Sequence, residues 1–177
     1  MQHQTHQQKN HPQKQEISAG LVIFRRTEDG PKYLILYHRG SYWNFPKGKL
    51  ESEERSFDAA LRETSEETGI KGHNLRLLKG FQANERYSFR GREGKVFKIV
   101  IFYLAETRSP HVQLSDEHQG YGWFLYRDGM KILEKHKESQ NILRRAHAFI
   151  NPVQPARSRA SRSSPISQKL RRNESRK

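Results

Sequence analysis

The stretch GKLESEERSFDAALRETSEETGI runs from Gly48 to Ile70 and carries seven acidic residues, in a chain whose formal net charge is +14. Its core, Ser56 to Thr68, has helical spacing: Phe57, Ala60, Leu61 and Thr64 form a modest inner stripe, and Gly69 suits a left-handed C-cap. On that helix Glu63, Glu66 and Glu67 stand at i, i+3 and i+4, so three carboxylates leave one face. Like charges at those offsets repel one another. A solvated acidic face is the ordinary outcome of such a run. The alternative is a site for a hard divalent cation, which takes carboxylate oxygens and removes the repulsion. Gly48 leads into the helix and lets a backbone carbonyl approach the same ion without a side chain in the way. Arg62 is expected to point away from the metal face and pair with Glu54.

Outward from this segment the chain divides by composition. It has 177 residues, of which only 33% are hydrophobic, which is low for a chain folded throughout. The polar excess lies at the ends. Residues 1–15 are rich in Gln and His with little to bury, and residues 152–177 carry eight basic residues against one acidic. Both read as disordered tails around one domain, 16–151. The chain has no cysteine, which removes disulfides, thiolate metal sites and thiol nucleophiles together. No apolar run approaches the roughly 20 residues of a membrane span, and residues 1–15 hold no apolar signal core. These features suit a cytoplasmic, monomeric protein with no membrane contact.

The domain reads as strands, helix, strands, helix. SAGLVIFRR and KYLILYHR flank the turn signal EDGP and predict a hairpin. SYWNFPKGK reads as an aromatic loop. LRLLKGFQANERYSF, KVFKIVIFYLAET and GYGWFLY read as strands, and MKILEKHKESQNILRRAHAFI as one closing helix. The order implies an α+β fold with helices packed on a mixed sheet.

The acidic segment fits G-x5-E-x7-R-E-U-x-E-E-x-G-U, U being usually aliphatic, through Gly48, Glu54, Arg62, Glu63, Glu66, Glu67, Gly69 and Ile70. Thr64 occupies a U position. The pattern resembles the Nudix box, and the wider order of strands and helices resembles the Nudix fold over roughly residues 17–150. The resemblance implies an α/β/α sandwich and a hydrolase of nucleoside diphosphate linkages. It makes Glu66 and Glu67 the main Mg²⁺ (or Mn²⁺) ligands with the Gly48 carbonyl nearby, Glu63 a metal ligand or the residue orienting the attacking water, and Glu54, Arg62 and Gly69 structural. The chemistry agrees: metal ions neutralise the phosphate oxygens that repel a water nucleophile.

Three stretches bear on the substrate. In WNFPKGK, Lys47 suits a phosphate and Trp43 is a site or core aromatic. In ERYSFRGREGKVFK, Tyr87 suits a base, and Lys98 suits a phosphate if Phe97 and Ile99 face away from it. In LSDEHQGYGWF, Glu117 suits the metal cluster or a general base, and Tyr121 suits a nucleobase. Together these stretches are similar to the asymmetrical diadenosine tetraphosphate hydrolase branch of the Nudix enzymes, with Phe45 where that branch commonly has proline. That likeness implies hydrolysis of diadenosine tetraphosphate to ATP and AMP. An RNA 5′-pyrophosphohydrolase is the rival reading, supported by the basic C-terminal tail, which suits non-specific RNA contact through counterion release. A diphosphoinositol phosphatase is a third, and a non-catalytic nucleotide sensor is opposed by the complete Glu63, Glu66 and Glu67 set.

Overall fold

In a computed structural model the described residues are 14–39, 42–92 and 94–152. The tail segments 1–13 and 153–177 lie outside them.

Two long strands make the spine. β1 (Lys14–Thr27) and β7 (Gly94–Thr107) pair in parallel from Lys14 opposite Val96 to Phe24 opposite Glu106. Strand β1 therefore starts at Lys14, two residues ahead of the composition boundary. Its centre, AGLVIF, is apolar on successive residues because both faces of the sheet are covered. Ala19, Leu21 and Ile23 face one layer while Val22 and Phe24 face the other, all fully buried.

The expected hairpin forms. β2 (Gly30–His38) returns antiparallel to β1, closed by Gly30 at φ +114° and by the Thr27 hydroxyl donating to the Gly30 carbonyl. The aromatic loop is more ordered than expected: it forms two short strands, β3 (Tyr42–Asn44) on β2 and β4 (Lys47–Lys49) on β1. Phe45 between them is fully buried against Phe102 and sets this turn. β5 (Leu75–Leu77) and β6 (Ala83–Gly91) share the other edge of β7, and β8 (His118–Leu125) pairs with β2. The sheet is mixed and eight-stranded.

Helix α1 (Ser56–Thr68) covers one face, setting Ala59 and Ala60 on Leu21, Ile23, Leu34 and Leu36. The other face is covered by α2 (Tyr126–Ile132) and α3 (Lys137–Ile150), with Leu133 between them. The result is an α/β/α sandwich. The single closing helix expected from the sequence is broken at 133–136. Leu133 and Ile142 are both buried, yet nine residues are about two and a half helical turns, which would set them on opposite sides of one rod. The break lets both reach the core. Among the described residues no helix is long and apolar enough to cross a membrane.

Candidate active site

Helix α1 ends on Gly69 in the left-handed region at φ 71°, as its sequence suggests. Its last carbonyls are taken up from outside: the Gln113 N–H donates to Thr68 O and the Ser115 N–H to Glu67 O. These two bonds lay the segment before β8 along the helix end and bring Glu117 to the acidic face.

Strand β4 sets the other wall. Gly48 pairs with Ala19 and so looks toward α1, where the Glu63 carboxylate lies against its α-carbon. A β-carbon built there would fall 1.8 Å from Glu63 Cδ. The glycine is thus required by the carboxylate, more directly than by any backbone strain. Lys47 and Lys49 alternate to the opposite face.

Glu67 is the buried member of the cluster, 5% exposed. Its Oε2 accepts the Lys47 backbone N–H at 2.9 Å, and its Oε1 stands 3.6 Å from His118 Nε2. Burial pushes its carboxyl up to about 8, with the neighbouring Glu63 and Glu117 adding to the rise and Lys47 opposing it. Glu63 is also raised, first by burial, against the pull of Arg62.

Arg62 departs from expectation. It does hold Glu54, bidentately at 3.0 and 2.9 Å, and it donates to Lys49 O at 2.9 Å, tying loop to helix. It also turns onto the carboxylate face, where Nη1 donates to Glu63 Oε1 at 2.9 Å and to Glu66 Oε2 at 3.1 Å. A guanidinium beside three unbalanced carboxylates is drawn to them. As they stand, no three acidic or histidine side chains among the described residues converge to hold an ion. The donor set nevertheless fits a hard divalent cation. Glu63, Glu66, Glu67 and Glu117 supply only carboxylate oxygens within electrostatic reach of one another, and buried Glu67 carries a raised pKa that a cation would relieve.

On the face of the sheet that carries Lys47, a cavity of about 610 Å³ opens beside the cluster, lined by Tyr42, Asn44, Lys47, Glu85, Tyr87 and His136 among others. Burial lowers the Lys47 pKa, while Glu67, Glu85, Glu63 and Glu117 oppose that shift, which places its ammonium between the cavity and the acids. Tyr87 is 37% exposed and stands directly opposite Lys98 across the β6–β7 ladder, so the two share one face, away from Phe97 and Ile99. Lys98 is half-buried and feels the charges of Lys47, Glu16, Lys49 and Glu85.

Two expected residues lie elsewhere. Trp43 packs edge-on against Phe124 at 5.5 Å and beside Tyr37 at 5.0 Å, as part of the core beneath the cavity. Tyr121 is 40% exposed and pairs with Leu36, on the α1 face of the sheet, opposite to that of Tyr87. Conversely, sequence reasoning missed Tyr42, Asn44, Glu85, His136, His38 and His118. His38 stacks on Tyr42 at 4.6 Å and meets His118 edge-on at 4.4 Å. One signal was available: Glu85 lies two residues before Tyr87 and so must share its face of the strand.

Comparison with known proteins bears on the same residues. The family model described as NUDIX domain matches residues 14–146. The mouse protein bis(5′-nucleosyl)-tetraphosphatase [asymmetrical] is 34% identical over 143 residues, covering 75% of this chain and 94% of its own length. Mouse diphosphoinositol polyphosphate phosphohydrolase 3-alpha is 32% identical over 120 residues, covering 67% and 70%. A crystal structure of a C. elegans Ap4A hydrolase binary complex superposes with a TM-score of 0.67 at 32% identity, covering 77% of this chain and 98% of that one. With the box of α1 built as described and three-quarters of its length matched to the family model, this chain belongs to the NUDIX family.

Proposed function

We propose that the protein hydrolyses diadenosine tetraphosphate to ATP and AMP in a step dependent on Mg²⁺ or Mn²⁺. The observation that carries this reading is the junction at Lys47. Its backbone N–H is held by the buried carboxylate of Glu67, while its side chain lines the cavity that also holds Tyr87. A polyphosphate anchored by Lys47 would run from the acidic cluster into that cavity, with a nucleoside at its end.

In this reading Glu66 and Glu67 hold the divalent cation with the Gly48 carbonyl, and Glu63 completes the set. When bound, the cation neutralises phosphate oxygens and lowers the pKa of a water molecule. Lys47 and Lys98 position the phosphate chain. Water attacks phosphorus, the bridging P–O bond breaks toward the ATP or AMP side, and Glu63 or Glu117 accepts the proton released. Arg62 holds Glu54 and Lys49 O and so fixes the loop that presents Gly48. A dinucleoside substrate has two bases. Tyr87 on one face and Tyr121 on the other, four residues after Glu117, suit one base each, on either side of the acids. The lack of cysteine supports a cytoplasmic setting.

The relation to a diphosphoinositol phosphohydrolase favours a second reading with the same chemistry. A hydrolysis panel separates the two. It presents diadenosine tetraphosphate, a diphosphoinositol phosphate and 5′-triphosphate RNA, each with Mg²⁺, with Mn²⁺ and with excess EDTA, and resolves products by ion exchange. Rapid, EDTA-sensitive release of ATP and AMP is the expected result. Preference for either other substrate overturns the assignment.

A further inference from the structure

One residue that lines the cavity, Glu85, carries a polar atom that neither the fold nor the proposed chemistry uses. Glu85 lies on β6, only 7% exposed, opposite Val100 in the ladder. Its carboxylate lies beside the Asn44 side chain, and Oε2 is buried with no hydrogen-bond partner among the described residues. Asn44 is fixed in turn, since its Oδ1 accepts from the Phe45 N–H at 2.8 Å and the Ser139 hydroxyl at 3.3 Å. A carboxylate oxygen held in place and left unpaired under a cavity is costly unless a ligand satisfies it. Burial raises the Glu85 pKa while the charge of Lys47 opposes it, and in the ionised form that Lys47 favours the group can only accept, so the ligand must bring a donor.

Position narrows the donor. Glu85 and Tyr87 are two residues apart on one face of a strand, about 7 Å along its axis. Lys47 lines the same cavity and is within electrostatic reach of Glu85. Where a phosphate lies at Lys47 and a base at Tyr87, the sugar that joins them lies over Glu85.

We propose that Glu85 reads the sugar: its free oxygen accepts a hydrogen bond from the ribose hydroxyls and makes the cavity selective for ribonucleotides over deoxyribonucleotides. This rests on the nucleotide reading of the cavity given above. The other donor a nucleotide could offer is the exocyclic amine of adenine, which lies at the far end of the base.

The test compares kcat/KM of the full chain for diadenosine tetraphosphate, its 2′-deoxy and 3′-deoxy analogues, and the diinosine analogue that lacks the amine. Dissociation constants of AMP and 2′- and 3′-deoxy-AMP are measured in parallel. One lost hydrogen bond to a charged acceptor corresponds to about 10- to 100-fold. The wild type should lose that factor on at least one deoxy analogue, in turnover and in AMP binding, and tolerate inosine. In Glu85→Met, which fills the same space without an acceptor, ribose and deoxyribose forms should come within about threefold. Glu85→Gln keeps one acceptor oxygen and should retain part of the selectivity, which serves if the methionine variant does not fold. Equal handling of ribose and deoxyribose by the wild type overturns the proposal, as does selective loss on inosine. Absence of tetraphosphate hydrolysis, with AMP still bound selectively over its deoxy forms, refutes the proposed reaction and leaves the sugar contact standing.

Discussion

Replacing Gly48 by alanine tests the site more sharply than removing any carboxylate. The glycine is not in the left-handed region, so an alanine suits its backbone. The obstacle is a side chain. The new β-carbon would lie 1.8 Å from Glu63 Cδ and 2.0 Å from Oε1, where ordinary contact begins at 3.4 Å. The carboxyl group must therefore retreat by about 1.6 Å, the difference between 3.4 and 1.8. Glutamate is flexible at that end, so the fold should lose no more than about 5 °C in Tm. Displacement of a catalytic group by about 1 Å can cost on the order of 100-fold. The expected phenotype is a folded protein with kcat/KM on diadenosine tetraphosphate reduced at least about 100-fold, read by ion-exchange separation of ATP and AMP. Gly20→Ala is the contrast. Its β-carbon would meet the Pro46 carbonyl oxygen at 2.2 Å and Lys47 Cβ at 2.6 Å, a clash with main chain and near-main-chain atoms that cannot swing away. That variant should lose stability first. A Gly48→Ala enzyme within about threefold of wild type would refute the placement of Glu63 in the machinery.

Arg62→Ala leaves Glu54, Glu63 and Glu66 without their shared partner and should lower stability by about 1–3 kcal/mol in urea, with activity lost alongside; an unchanged midpoint would contradict its structural role. Glu66→Gln should abolish turnover while the circular dichroism and melting curve stay those of the wild type, and retained turnover would refute the metal assignment. His38 is held neutral, its pKa pushed down to about 3 first by burial and then by the charges of Lys47 and His118, from 6.5 when unfolded. The unfolded chain therefore binds the extra proton, so this stability is complete above 6.5 and drains as pH falls toward 3. At pH 5 the loss should be about 2 kcal/mol relative to His38→Gln; parallel stability profiles of the two proteins from pH 7.5 to 5 would refute it. Tyr87→Ala should weaken AMP binding about 10- to 100-fold, as loss of one base stack does, while Tyr121→Ala should raise KM for the dinucleotide and leave AMP binding unchanged; equal effects of both on AMP would show that they do not serve separate bases.

How much of this was legible in the sequence follows from how local each feature is. The hairpin at Thr27–Gly30, helix α1 and its glycine cap depend on residues within a few positions of one another, and all three form where the spacing sets them. Lys47, Glu67 and Tyr87 belong to one neighbourhood, as their types and positions in the motifs suggested. Side-chain direction was less accessible. By its sequence Arg62 is free to pair with Glu54 and turn away from the carboxylates, whereas the field of Glu63 and Glu66 draws its other nitrogen back. Trp43 stands on β3 between the cavity residues Tyr42 and Asn44, yet its ring is claimed by Phe124 and Tyr37 from other strands.

The chain by itself determined the acidic face, the glycine beside it and the succession of strands and helices, because these are written in short-range spacing. Tertiary structure alone decided the rest, because it pairs residues that are remote in the chain. Parallel pairing of Lys14 with Val96 and of Phe24 with Glu106 fixes which residues of β6 and β7 share the face of Lys47. It thereby assembles the cavity, leaves an oxygen of Glu85 free beneath it, and sends Tyr87 and Tyr121 to opposite sides of the sheet. The closing helix breaks for the same reason: Leu133 and Ile142 can both be buried against that sheet only if the rod between them bends.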